Sequence, residues 1–422
     1  MSETPSSLVC EPASSFDDVR QALLHGREIA LLDVREERHF AQAHPLFAAN
    51  LPLNRIDPDA RIRLPRRDTP VVLYDNGEGL AELALRQLLA LGYRRVSLLA
   101  GGLDGWIGAG GEVFKDVNVP SKAFGELVEA RRHTPSLSAQ EVQALLDQQA
   151  DIVVLDVRRF DEYQTMSIPD AISVPGAELV LRAQTLAPNP ATRIVVNCAG
   201  RTRSIIGTQS LLNAGVPNPV AALRNGSIGW TLAGQVLDHG ASRRFSEVTE
   251  SQRQQAAEKA RAVADRAGVQ RVRLAHLAGL LAEPNRTTYR FDVRTPEEFA
   301  AGHLPGFRHV PGGQLVQETD VSAPVRGARI VLCDPQGVRD NMSASWLAQM
   351  GWAVWVVDGI TATDLTEAGP GAALAPVSAA GRYRRPYEGT DNPVEAIQAY
   401  LDWEYGLVEQ LGRDGTHGFW VL

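Results

Sequence analysis

Three Asp-Val-Arg tripeptides, Asp33-Val34-Arg35, Asp156-Val157-Arg158 and Asp292-Val293-Arg294, open one register three times along the 422-residue chain. Apolar runs lead into the first two, Ile29-Ala30-Leu31-Leu32 and Ile152-Val153-Val154-Leu155. A second apolar run follows each tripeptide: Val71-Val72-Leu73-Tyr74, Ile194-Val195-Val196-Asn197 and Ile330-Val331-Leu332-Cys333. The residue just after this run, the slot, is Asp75, Cys198 or Asp334, and it lies 42 residues beyond the tripeptide Asp in every copy (33 to 75, 156 to 198, 292 to 334). A helix-like stretch then closes on Leu-x-x-x-Gly at Gly92, Gly215 and Gly351, 17 residues past the slot each time (75 to 92, 198 to 215, 334 to 351). Another apolar run and a glycine turn come next, at Gly101-Gly102, Gly226 and Gly359, with Trp106 and Trp230 following in two copies. Two fixed spacings in three copies define one domain repeated three times.

Short β-branched runs of this kind read as strands buried on both faces of a parallel sheet. Each copy reads strand, helix, strand, helix, strand, which is an α/β domain with a central, mainly parallel sheet flanked by helices. The domains are placed at 8–118, 134–243 and 268–366. Residues 246–268, rich in Ala, Gln, Glu and Arg, read as a connector helix that packs on a neighbour. A Gly/Pro/Ala linker spans 366–381. A helical tail, 381–422, carries a helix opened by Asn392 as N-cap and Pro393 in its first turn. Ile397, Tyr400, Leu401, Tyr405 and Leu411 give it an apolar face, which predicts docking on a domain.

Composition narrows the function. A formal net charge of −8 with no long basic run disfavours nucleic acid or an anionic membrane as partner. No apolar run reaches the length of a membrane helix, and the N-terminus has no basic segment leading into an apolar one, so neither a membrane span nor a secretory signal is expected. The 3 cysteines (Cys10, Cys198, Cys333) are odd in number and far apart, which points to a reducing compartment, the cytoplasm. No Cys-x-x-Cys or His/Cys cluster calls for a metal, and no cofactor is implied.

The chemistry falls on the middle copy. Its slot opens the run Cys198-Ala199-Gly200-Arg201-Thr202-Arg203-Ser204, at the carboxyl end of a parallel strand and just before a helix, where ligands bind in open α/β sheets. Loop amides, the helix N-terminus and two arginines are expected to surround the sulfur with positive potential. Such surroundings take a thiol from a pKa of ~8.5 into the range of roughly 3.5–7.5 and make it a nucleophile suited to an anionic substrate. The bland alternative is a small buried residue at a strand end. Cys333 precedes its slot by one residue, so its side chain turns to the other face and packs in the core. Cys10 has no assigned role. Asp75 and Asp334 are expected to cap the helices that follow them. Asp156, Arg158 and Glu162 are expected to form a structural ion-pair cluster and Trp230 to pack near the loop, while His303 and His309 read as solvated or core histidines and are assigned no role.

The tripeptide strand, the six-residue loop beginning with Cys and the Gly-then-Trp signature together resemble the rhodanese family. CAGRTRS is similar to the CRSGNRS-type loop of single-domain rhodaneses, and the chain as a whole resembles multi-repeat rhodanese-related sulfurtransferases in which the second repeat alone holds the cysteine. The resemblance covers all three repeats. It implies three tandem rhodanese-like domains and a covalent, two-step sulfur transfer. Cys198 would take the sulfane sulfur of a small anionic donor such as thiosulfate as a persulfide, then pass it to cyanide, a thiol or a protein acceptor. Ala199, Gly200, Arg201, Thr202, Arg203 and Ser204 would bind substrate, with Arg201 and Arg203 holding the sulfonate. Asp156, Arg158 and Trp230 would support the site. The loop departs from thiosulfate-type patterns at Ala199, where a cation often stands. Ser167–Ala171 likewise departs from the family's GHIPGA element, which Gly302–Gly306 retains better; that element is read as structural. Two rivals remain. A non-catalytic sulfur carrier or scaffold would use the Cys-less copies as docking surfaces. A rhodanese-fold phosphatase would need Cys-x5-Arg, whereas Arg203 follows Cys198 after only four residues.

Overall fold

The computed structural model describes residues 13–372, 374, 378–389 and 391–422; Cys10 and part of the 366–381 linker lie outside them. The chain divides into two compact units. The first holds the opening repeat up to Val117, joined by Ala323–Gly327 and by the stretch ending at Tyr383. Its sheet runs Ala48–Asn50, Ala30–Asp33, Val71–Tyr74, Val96–Leu98 in spatial order, and every pair is parallel.

The second unit holds the middle and third repeats, the connector and Arg384–Leu422. The middle sheet runs Ser136–Leu137, Val220–Leu223, Arg193–Asn197, Ile152–Asp156, Ile172–Ser173. The third runs Gln270–Arg273, Ala353–Asp358, Arg329–Cys333, Thr288–Asp292, Arg308–His309. Both are wholly parallel. In each repeat the tripeptide Asp pairs with the residue just before the slot: Asp33 with Tyr74, Asp156 with Asn197, Asp292 with Cys333. The fixed spacing in the sequence is this register, and it puts all three slots at the same carboxyl edge of a sheet.

The tripeptide itself is a buried staple. Arg158 grips Asp156 through Nε and Nη2 and donates from Nη2 to the Met166 carbonyl. Arg35 does the same with Asp33 and Ala43, and Arg294 with Asp292 and Gly302. The planar guanidinium satisfies the buried carboxylate and a loop carbonyl at once, so neither is left orphaned. His303, buried, stacks on Phe299 at 3.7 Å and bonds its carbonyl, as a core histidine.

The connector forms a helix, Glu250–Arg266, whose Ala256, Ala260 and Val263 enter a core containing Leu181, Val196, Val338 and Met342. Trp346 of the third repeat donates to Ser210 Oγ of the middle one at 2.8 Å. In the tail the helix is Val394–Tyr405 and its N-cap is Pro393, without a side-chain cap. Asn392 instead donates to the Glu388 carbonyl, which corrects the expected cap. A second helix, Leu407–Asp414, follows. Ile397, Tyr400, Leu401 and Leu411 are buried as the apolar face requires, while Tyr405 is 48% exposed. Among the described residues no helix is long and apolar enough to cross a membrane, and no group of three or more His, Cys, Asp or Glu side chains could hold a metal ion.

Candidate active site

Cys198 follows the central strand of the middle sheet, and Ala199–Arg201 turn the chain into the helix Thr202–Asn213. The loop's outer wall is the glycine turn after the next strand. Ser227 donates its amide to the Cys198 carbonyl and Ile228 to that of Ala199, both at 2.9 Å. The approach is possible because residue 226 has no side chain: a Cβ there would lie 2.3 Å from the Cys198 oxygen, at a φ of +56°. Ile228, in turn, packs on Ala199. Trp230 is buried two residues further on, but in a different cluster with Val142, Val154 and Tyr163, and donates to the Val236 carbonyl. It supports the domain, and Ile228 is the residue that meets the loop.

The Cys-less copies reveal what the loop backbone is built to hold. In the third repeat, Asp334 Oδ1 accepts the Gln336 amide at 3.0 Å, and Oδ2 accepts the amides of Val338 at 3.3 Å and Arg339 at 3.0 Å. In the first, Asp75 accepts from Gly77 and Ala81, each at 3.0 Å. These carboxylates accept amides from the first turn of the following helix but stand upstream of its N-caps, Gly79 and Val338, which corrects the expected capping position; they trace an anion cradle of converging N–H groups. In the middle repeat the first-turn amides of Thr202, Arg203 and Ser204 lack intrahelical partners by the geometry of any helix start. Thr202 Oγ1 is buried with no hydrogen-bond partner among the described residues.

Cys198 is 2% exposed. Its thiol donates to Ser204 Oγ at 3.4 Å, and that hydroxyl donates to the Arg201 carbonyl at 2.8 Å. Burial pushes the Cys198 thiol up from its ordinary pKa, outweighing the lowering by the nearby Arg203 charge and by Ser204. This overturns the expectation of a ready thiolate: removing the sulfur from water costs its anion more than the loop returns.

The two arginines also differ from expectation. Arg201 is clamped by Glu126 through Nε at 2.7 Å and Nη2 at 2.8 Å, while its Nη1 donates to Asn225 and to the Tyr405 hydroxyl. Arg203 forms a two-point pair with Glu162 at 2.8 and 2.9 Å. Glu162 therefore gives its hydrogen bonds to the loop arginine and joins the Asp156–Arg158 staple through charge alone. The same pairing recurs without a cysteine, where Arg339 joins Glu298. The signal was present in the sequence: Glu162 and Glu298 stand six residues after the tripeptide Asp, and Arg203 and Arg339 five after the slot. Arg203 is still a cation close enough to bias the sulfur, and each of the two states raises or lowers the other accordingly.

The tail supplies residues that the sequence reading did not place here. Tyr387, Ile397, Tyr400 and Leu401 cluster with Ala199 and Ile228. A Cβ built on Gly200 would lie 3.3 Å from Glu404 Oε2 and 3.5 Å from Tyr400 Cε1. Lys122 Nζ lies 5.1 to 5.6 Å from the ring centres of Tyr387, Tyr400 and Trp403. A largely apolar cavity on the other side of the loop is lined by Val157, Thr202, Arg203, Phe124, Met342 and Trp346; Cys198 does not border it.

The chain is similar to known proteins over most of its length. The model of the rhodanese-like domain matches residues 15–109, 138–233 and 275–360. A crystal structure of a thiosulfate sulfurtransferase from Pseudomonas aeruginosa is 54% identical, covers 97% of this chain and 99% of its own, and superposes with a TM-score of 0.95. An uncharacterized protein of Synechocystis is 35% identical over 101 residues, which is 24% of this chain and 55% of that protein. With its family model matching three times, over more than half its length, this chain belongs to the rhodanese-like family.

Proposed function

We propose that the chain is a sulfurtransferase that moves sulfane sulfur from a small anionic donor such as thiosulfate to a thiol, protein or cyanide acceptor through a Cys198 persulfide. The observation that carries this reading is the contrast between slots: where two copies set a carboxylate in the amide cradle, the middle copy sets a sulfur nucleophile. The likeness to the Pseudomonas aeruginosa thiosulfate sulfurtransferase over nearly the whole chain supports it.

In this reading the Cys198 sulfur attacks the outer sulfur of thiosulfate, an S–S bond forms, and the bond to the sulfonate sulfur breaks with its electron pair leaving on sulfite. The orphan amides of Thr202–Ser204 and the Thr202 hydroxyl receive the anionic sulfur and the sulfonate, since Arg201 and Arg203 are committed to Glu126 and Glu162. Arg203 contributes its charge through space. The chemistry requires reduced thiols, which suits the cytoplasm.

Intact mass after incubation with thiosulfate tests the reading. A gain of one sulfur atom, absent in Cys198→Ala, is expected. No gain with any sulfane donor would leave the scaffold reading. A gain without turnover to cyanide would mark a carrier.

A further inference from the structure

A buried thiol that must become a nucleophile needs somewhere to put its proton. Around Cys198 the candidates are few. Ser204 receives the S–H, but its hydroxyl is already spent on the Arg201 carbonyl and is no base near neutral pH. Glu126 and Glu162 each give both oxygens to an arginine. Glu404 differs. It sits on the tail helix Val394–Tyr405, outside all three stretches matched by the family model, and is 1% exposed. Its Oε1 accepts the Tyr400 hydroxyl at 2.8 Å. Its Oε2 has no hydrogen-bond partner among the described residues and reaches the catalytic loop beside Gly200.

Resting on the sulfurtransferase reading, we infer that Glu404 is the proton acceptor for Cys198, brought to the catalytic loop by the C-terminal helix. The carboxylate takes the thiol proton, directly or through one water, as Cys198 attacks. The Sγ–S bond forms and the bond to the sulfonate sulfur breaks. The proton held on Glu404 then leaves with sulfite as hydrogensulfite or passes to water, which restores the carboxylate. Cys198–SH and thiosulfate thus become the persulfide anion and hydrogensulfite.

The surroundings suit the task. Burial pushes Glu404 up to about 7; Lys122 lowers it, Glu126 raises it, and the Tyr400 hydroxyl and Arg201 lower it again. Glu404 Oε2 lies beside Gly200, two residues from Cys198, and the Glu404 charge opposes ionisation of the Cys198 thiol. Taking up a proton removes the Glu404 charge that opposes the thiolate, so protonation of the carboxylate favours ionisation of the thiol. A base that titrates close to working pH is the most effective kind.

The test is the rate of persulfide formation from thiosulfate against pH, followed by rapid quench and intact mass, in the full chain and in Glu404→Gln and Glu404→Asp. In the unaltered protein the rate should climb through about pH 7 to a plateau. Glu404→Gln should lose on the order of 100-fold at pH 7.5 and climb only at alkaline pH, where the thiol ionises unaided. Glu404→Asp should keep the rise near neutral pH at reduced height, which a purely structural role would not produce. An unchanged or faster Glu404→Gln, as a mere nearby negative charge would give, overturns the inference, as does a Glu404→Gln pH profile that keeps the rise near neutral pH at any height. If the unaltered protein takes up no sulfur at all, the sulfurtransferase reading falls first, and the two failures are distinct.

Discussion

Replacing Gly226 by alanine tests whether the glycine turn shapes the catalytic loop. The new Cβ would stand 2.3 Å from the Cys198 oxygen and 2.8 Å from both the Ala199 carbonyl carbon and the Gly200 oxygen. All three are backbone atoms, so no side chain can swing aside. Holding an L-residue at a φ of +56° costs roughly 1–2 kcal/mol. Relieving the overlap by shifting well-packed backbone adds about 1–3 kcal/mol, for a loss of ~2–5 kcal/mol. Gly234→Ala is the control: its φ is +72° but its Cβ would meet open space, so only the first cost of about 1–2 kcal/mol applies. Urea unfolding of both variants gives the difference. The same displacement breaks the amide bonds from Ser227 and Ile228 that fix the loop, so sulfur uptake should fall in Gly226→Ala and persist in Gly234→Ala. Equal stability losses, or full uptake by Gly226→Ala, would refute the reasoning.

Three further expectations follow from the packing. Burial raises the Glu162 carboxyl, but the Arg203 charge and paired hydrogen bonds outweigh it and hold it at about 2. A folded value below the unfolded ~4.3 stabilises above roughly pH 4.5 and is lost as pH falls toward 2, a contribution of ~2–3 kcal/mol. Acid unfolding of Arg203→Met should therefore be flatter across that window, and an unchanged slope would count against the pairing. Cys333 is buried in the strand core of the third repeat, so Cys333→Ala should leave sulfur uptake intact and cost about 1 kcal/mol in chemical denaturation; a lost mass gain would contradict this. Trp346→Phe removes the bond to Ser210, whose hydroxyl remains satisfied through the Ile206 carbonyl, so a loss near 1 kcal/mol is expected in the same assay.

Much of the architecture was legible because a parallel sheet imposes one register per copy. The 42-residue spacing is the Asp156–Asn197 pairing read along the chain, and it located Cys198 without knowledge of any contact. Cys333 was placed in the core on alternation alone, and it lies there. What local pattern could not give was pairing across distance. Glu126 reaches Arg201 over 75 positions, and no periodicity links them. The protonated thiol escaped for a similar reason: loop composition suggests positive potential, whereas burial depends on what covers the loop. Its cover was detectable in one respect. Glu404 shares the helical face of Ile397 and Leu401, at seven and three residues' remove, and a carboxylate on an apolar face calls for an explanation.

The aspartates at the two Cys-less slots have a consequence for how the chain handles its donor. Each backbone concavity there already contains a tethered carboxylate, that of Asp334 also paired with the Arg339 guanidinium, so an incoming anion would meet a filled seat at both. In the proposed sulfur transfer the two Cys-less slots would therefore not compete with Cys198 for an anionic donor, because their loop amides are already taken by a tethered carboxylate.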